Sequence, residues 1–120
     1  MLLNFTNEEM AVLYTHIRLM KKSIKKGFKK TYKGDWEEHY NHYLGLIEIL
    51  EKMITAQELE KDFNISFSVE QFLLLHSFIN WYTNELNAKE NNKDKLNHEV
   101  IKTMAILEDI QMKINILAAS

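Results

Sequence analysis

Cysteine and proline are absent from this chain of 120 residues, and glycine occurs only three times. Without cysteine there is no disulfide framework, no thiolate metal ligand and no cysteine nucleophile. Because proline and glycine interrupt regular secondary structure, their scarcity favours long helices over a turn-rich β fold. A chain of this length can bury its own hydrophobic core. We therefore expect a single helical domain over residues 1–120.

Sequence signatures of catalysis and of membrane insertion are also missing. No glycine-rich phosphate-binding loop occurs, and no serine lies in the glycine-flanked elbow of a hydrolase. The longest apolar run, residues 72–79, is interrupted by His76 and Ser77 and is too short to cross a bilayer. The N-terminal residues lack the basic and apolar regions of a secretory signal. These features predict a cytoplasmic protein without membrane contact that is not an enzyme.

Two stretches of the chain resemble each other. Residues 5–17 read FTNEEMAVLYTHI, and residues 67–79 read FSVEQFLLLHSFI. Each has a phenylalanine, then threonine or serine, then glutamate or glutamine three positions after the hydroxyl residue. The last two residues of that pattern form the capping box that starts many helices.

A second similarity relates residues 47–53 to residues 104–110. Together the two similarities indicate a duplicated helical hairpin, with copies over residues 5–54 and 67–113. The alternative is that both stretches converged on the same common helix-start chemistry.

Apolar residues recur at alternating intervals of three and four, which is the spacing of a helix that buries one face. The spacing predicts four helices, over residues 7–30, 35–62, 69–90 and 93–118. Short connectors favour antiparallel neighbours. The predicted fold is all-α, an up-down-up-down four-helix bundle built from two pseudo-repeated helical hairpins. Its expected core includes Leu13, Ile17, Leu50, Leu75, Ile79 and Leu107.

Positive charge is concentrated in one segment. Residues 18–33 carry eight positive charges and no acid, although the whole chain has a formal net charge of −2. Such a segment can bind an acidic protein surface or phosphates, or can be a solvated lysine face. The predicted partner-binding residues are Arg18, Lys21, Lys22, Lys25, Lys26, Lys29, Lys30 and Lys33.

The third predicted helix has more apolar side chains than one buried seam requires. The candidates for an apolar interface are Leu73, Leu74, Phe78 and Trp81. The alternative is that this helix is simply the most buried of the four. A similar surplus occurs near the C-terminus, at Ile114, Ile116 and Leu117. We expect a homodimer that uses one of these surfaces.

Histidine occurs on every predicted helix, which raises the question of a metal site in the bundle. The histidines are His16, His39, His42, His76 and His98. No Glu-x-x-His pair occurs, and most of the histidines lie one position from a seam, so no metal site is predicted. The aromatic residues Trp36, Tyr40 and Tyr43 suit either a small-molecule pocket or, by preference, the core.

The function favoured by these features is a non-enzymatic protein–protein interaction module, which is an adaptor, regulator or inhibitor of a partner with an acidic surface. The excess of lysine over arginine is typical of an AT-rich genome, so a phage or mobile element of a low-GC bacterium is a candidate source. Nucleic-acid binding through residues 18–33 is the alternative, weakened because guanine contacts favour arginine. A metal-binding helical bundle is the least favoured interpretation. We predict no cofactor, no metal ligand and no catalytic residue.

Overall fold

The computed structural model describes residues 1–56, 62–89 and 98–120. Within these ranges the chain is mostly helical, as predicted, and it also contains a two-stranded sheet that was not predicted. The elements follow in the order β1 (Leu2–Thr6), α1 (Asn7–Leu19), α2 (Lys21–Thr31), α3 (Trp36–Ala56), β2 (Asp62–Ser66), α4 (Val69–Lys89) and α5 (His98–Ala118).

The sheet joins the N-terminus to the segment that was predicted to be a connector. β1 and β2 are antiparallel, with Leu3 opposite Ile65 and Phe5 opposite Phe63. These four side chains are buried, while their neighbours in each strand are exposed. That alternation is the period of a half-buried strand. It extends over only five residues in each strand, but this is long enough for alternation to indicate a strand, so residues 62–66 carried a signal in the sequence.

Each strand leads into a helix that begins with a capping box, as predicted. The Thr6 hydroxyl accepts a hydrogen bond from the Glu9 N–H at 3.1 Å, and the Glu9 carboxylate accepts one from the Thr6 N–H at 2.8 Å. Ser68 and Gln71 form the same reciprocal pair at 3.2 and 2.9 Å. Both predicted helix starts are therefore confirmed.

The first predicted helix, over residues 7–30, consists of two helices. At Met20 the backbone ψ is 6°, whereas an α-helix has ψ of about −42°. α1 ends there, and α2 packs mainly against α3. Because the apolar spacing of three and four continues through Met20, the spacing did not reveal the break.

The other predicted helix boundaries agree with the structure in part, and some of them lie outside the described residues. The second helix was predicted to reach residue 62, but Asp62 lies in β2. Residues 57–61 of that prediction lie outside the described residues, as do the predicted end of the third helix at residue 90 and the predicted start of the fourth at residue 93. α4 and α5 otherwise occupy the predicted regions.

The core lies between four helices and the inner face of the sheet. α1 packs against α3 and α5, and α4 packs against the same two helices. The predicted core residues are confirmed as fully buried, namely Leu13, Ile17, Leu50, Leu75, Ile79 and Leu107. In the part of the chain that the structure describes, none of the helices has the length and apolar character needed to cross a bilayer.

Candidate functional site

The basic segment is divided between three parts of the structure. Arg18 belongs to α1, where its guanidinium lies 5.4 Å from the centroid of the Tyr14 ring and donates a hydrogen bond of 3.2 Å to the Tyr14 hydroxyl. Lys33 lies in the turn before α3. The remaining six lysines are on α2. The break at Met20 therefore separates Arg18 from the lysines with which it was predicted to form one partner-binding segment.

Two lysines of α2 rest on aromatic rings of α3. Lys29 Nζ lies 4.8 Å from the centroid of the Trp36 ring, and Lys25 Nζ lies 5.8 Å from that centroid and 5.7 Å from that of Tyr40. These distances are typical of cation–π pairs. Trp36 and Tyr40 are half-buried beneath these lysines, while Tyr43 is in the core as predicted.

Aromatic contacts fix the orientation of α2 on α3. Phe28 meets the rings of Tyr43 and His39 edge-on, with centroids 6.4 and 6.2 Å apart. His39 in turn stacks on Tyr32, with centroids 3.7 Å apart. Because edge-to-face and stacked rings prefer particular orientations, these contacts hold one defined face of α2 outward.

The outward face of α2 carries Lys22, Lys26 and Lys30, which are all exposed. They are spaced four residues apart, so they form a row along the helix. Among the described residues, the ion pairs that the structure forms involve none of the three. Like charges at this spacing oppose helix formation by a few tenths of a kcal/mol. The spacing of the row therefore works slightly against its own helix, although Lys30 in the last turn interacts favourably with the helix dipole.

A cleft of about 280 Å³ separates α2 from α4. It is lined by small and apolar residues from three helices, which are Ser23, Ile24, Gly27, Phe28, Thr31, Tyr43, Leu74, Ser77, Phe78 and Trp81. Ser23, Gly27 and Thr31 follow one another at intervals of four, so they form a strip of small residues along the α2 wall.

Three of the four predicted interface residues of α4 line this cleft. Trp81 is 39% exposed at its edge, and Leu74 is half-buried. Phe78 is only 3% exposed and stacks on Tyr82 with centroids 5.3 Å apart, so it belongs to the core as well as to the cleft. Leu73 is exposed outside the cleft. The structure thus places α2, which carries six of the predicted lysines, across one cleft from three of the predicted apolar residues.

The cleft offers little chemistry. None of the described residues that line it is an acid, a histidine or a lysine. The Tyr43 hydroxyl donates a hydrogen bond to the Ile17 carbonyl, and burial raises the pKa of Tyr43 far above its usual range. The cleft walls therefore lack a group that exchanges protons near neutral pH.

His16 lies between α1 and α4 and does not line the cleft. His16 Nδ1 is 2.6 Å from the Tyr82 hydroxyl, and the two rings are tilted with centroids 5.4 Å apart. Burial lowers the pKa of His16 and raises that of Tyr82. In the described ranges, no three histidine or carboxylate side chains converge to form a metal site.

The C-terminal apolar residues are placed differently from the prediction. Ile114 is fully buried, so it is core and is not available for an interface. Leu117 is half-buried and Ile116 is exposed. Lys113, beside them, lies 2.5 Å from a Glu9 carboxylate oxygen and also donates to the Asn4 carbonyl at 3.1 Å.

The small residues of the α2 wall were not predicted from the sequence as part of a site. Their interval of four, in Ser23, Gly27 and Thr31, was a readable signal of a strip along one helical face. Only the structure shows that this strip faces α4 across a cleft.

Comparison with known proteins leaves the function to be argued from this surface, because no protein-family model, curated protein or solved structure matches the chain.

Proposed function

We propose that this protein is a non-enzymatic interaction module that binds an acidic surface of another protein through α2, as an adaptor, regulator or inhibitor. The main observation in support is the exposed row of Lys22, Lys26 and Lys30, which forms no ion pair with the described acids of the chain. An unneutralised row of one sign attracts a partner of the opposite sign and speeds its approach.

The apolar character of the neighbouring cleft supports binding over catalysis. Its described lining residues include hydroxyls but no acid–base pair. Trp81, which is enriched as a residue type at interface hot spots, is partly exposed at the edge of the cleft. A charged row next to an apolar cleft is the arrangement expected of a protein-binding surface, which has an apolar centre and a polar rim.

Nucleic acid is the alternative partner, because the same three lysines are spaced along a helix and can contact phosphates. One observation disfavours it. Arg18, the residue type best suited to read guanine, is held against Tyr14 of its own helix.

We also propose that the chain folds as an antiparallel four-helix bundle of α1, α3, α4 and α5 that arose by duplication of a strand–helix–helix unit. Support comes from the packing of α1 and α4 against the same two helices and from the capping box that follows each strand. In this proposal α2 is an addition to the first copy.

A homodimer remains part of the proposal. Leu73 on α4 and Ile116 on α5 are 56% and 65% exposed, so they offer apolar contact area for a second copy.

The test of the proposed function is quantitative affinity capture with three forms of the protein. One is the natural chain, and the second carries Lys22→Gln, Lys26→Gln and Lys30→Gln. The third is a control in which the exposed residues Ala11, Asn41 and Ala105 are each changed to Glu, so that its net charge falls by the same amount. The proposal expects a partner that is lost from the second form and retained by the third. Equal capture by all three forms would exclude a role for the lysine row.

A salt titration of the captured complex separates the two classes of partner. Contacts to nucleic-acid phosphates release counterions, so the logarithm of the affinity falls linearly and steeply with the logarithm of the salt concentration. Capture that disappears after nuclease treatment would overturn the acidic-protein proposal in favour of nucleic acid.

A further inference from the structure

We infer that the cleft between α2 and α4 binds one amphipathic helix of the partner, and that the acidic side of this helix faces α2. This inference rests on the proposed function, because it takes the lysine row as one rim of the binding site.

The α2 wall allows another backbone to come close. Ser23, Gly27 and Thr31 form its strip of small residues, and a Cβ added at Gly27 would meet no atom within 4 Å. Glycine is the residue that permits close approach of a ligand to a backbone. Because the side chains of this strip are small, another helix can lie close alongside α2.

The α4 wall and the floor supply apolar contacts. Leu74 and Trp81 line the cleft from α4, and Phe78 and Phe28 lie deeper between the helices. At about 280 Å³, the cleft is slightly smaller than the roughly 300–1,000 Å³ of typical small-molecule sites. It suits the side chains that an amphipathic helix presents at intervals of three and four.

The charged residues beside the cleft determine which charges a bound helix should carry on each side. At 100° per residue, Lys30 lies next to Ser23 around the axis of α2, and Lys26 lies one step further outward. On α4, Glu70 is four residues before Leu74, and Glu85 is four residues after Trp81, so both exposed acids fall on the cleft side. The α2 side of the cleft is therefore basic, and α4 carries one exposed acid beyond each end of the cleft.

A helix that is acidic on both flanks would be repelled by the α4 rim. The matching occupant has an apolar stripe, carboxylates on the flank that faces Lys26 and Lys30, and neutral or basic residues on the other flank. This charge pattern also distinguishes it from a nucleic acid, which is negative on every side.

The experiment uses the full chain and a dye-labelled synthetic peptide of about 18 residues, or about five helical turns. The peptide has leucines along one face, glutamates on one flank and glutamines on the other. Two control peptides are used: one with lysine in place of each glutamate, and one with the same composition in scrambled order. Fluorescence anisotropy should show the first peptide binding at least about tenfold more tightly than either control, a difference of about 1.4 kcal/mol. Equal affinity for all three peptides would overturn the inference that the cleft binds an amphipathic helix.

A steric variant tests the location. Gly27→Leu places a side chain in the cleft, and Gly45→Leu is its control, because a Cβ at either glycine meets no atom within 4 Å and Gly45 does not line the cleft. Gly27→Leu should weaken peptide binding at least about tenfold, while Gly45→Leu should leave it within about twofold. Should Gly27→Leu unfold by circular dichroism, Ser77→Leu blocks the opposite wall and replaces it.

The outcomes separate this inference from the proposed function. Suppose that the double substitution Lys26→Gln and Lys30→Gln abolishes peptide binding and that neither cleft variant affects it. The lysine row then binds acidic groups, but the cleft does not bind the helix. If none of these variants affects binding of the natural partner, the proposed function fails as well. If Gly27→Leu converts a dimer to a monomer in sedimentation, the occupant is a second copy of this chain and the inference is overturned.

Discussion

Leu3 and Ile65 lie opposite each other in the two-stranded sheet. Ile65 stands 62 positions after Leu3, just as Phe67 stands 62 positions after Phe5 in the two similar stretches of sequence. Leu3 is therefore paired with its own counterpart in the proposed repeat. An antiparallel pair of equivalent positions is what a twofold axis through the sheet produces.

The proposed duplication predicts that these two residues contribute equally to stability. Leu3 is 5% exposed and Ile65 is 3% exposed. Leu3→Ala and Ile65→Ala should each lower the free energy of unfolding by about 2–5 kcal/mol in urea denaturation. Leu2→Ala, at a position 64% exposed, is the control and should stay within about 0.5 kcal/mol. A large loss at one paired position with none at the other would contradict an equivalent role.

Replacing the glycines of α2 and α3 by alanine should stabilise the protein. A Cβ at Gly27 or Gly45 has no neighbour within 4 Å, so no steric cost opposes the gain in helix propensity. Gly27→Ala and Gly45→Ala should each raise the free energy of unfolding by about 0.5–1 kcal/mol. A decrease at Gly27 would show that α2 is not helical there in solution.

Stability should depend on pH through His16. Burial lowers the pKa of His16 from its ordinary value of 6.5, so the unfolded chain takes up this proton before the folded chain does as pH falls. The stabilising contribution is complete above pH 6.5 and is lost progressively below it, down to the lowered pKa. Urea denaturation between pH 5 and 8 should show a weaker pH dependence for His16→Gln than for the natural chain. His42→Gln, at an exposed position on α3, is the control; a matching change there would remove the assignment to His16.

The ion pair between Glu9 and Lys113 should be energetically coupled. Its oxygen and nitrogen are 2.5 Å apart, and only 8% of the Glu9 side chain is exposed. A double-mutant cycle with Glu9→Gln and Lys113→Met should give a coupling of about 1–2 kcal/mol. The exposed pair Glu48 and Lys52, 3.1 Å apart, should give less than about 0.5 kcal/mol. Equal coupling in the two pairs would show that burial of Glu9 has no effect.

The features predicted correctly from the sequence are those that neighbouring residues determine. The capping boxes at Thr6 and Ser68 involve residues three apart, and the core positions follow from helical spacing. The strands were not predicted because each has only five residues and pairs with a segment about 60 positions away in the chain.

The candidate site was predictable as composition but not as geometry. The lysines of residues 18–33 and the apolar excess of α4 were both recognised. The break at Met20 and the cation–π contacts of Lys25 and Lys29 depend on how α2 packs against α3. They decide which lysines face outward, and one helix alone does not carry that information.

Site-specific photo-crosslinking in cells that make the protein tests the central claim most directly. A photoreactive amino acid would replace Ser23, an exposed residue of the cleft, and, as a control, Ala105, an exposed residue of α5. The account predicts that position 23 crosslinks to a protein through an acidic amphipathic segment, and that position 105 does not. Crosslinks to nucleic acid at position 23, or to the same protein equally from both positions, would contradict the claim that this face of α2 binds an acidic protein partner.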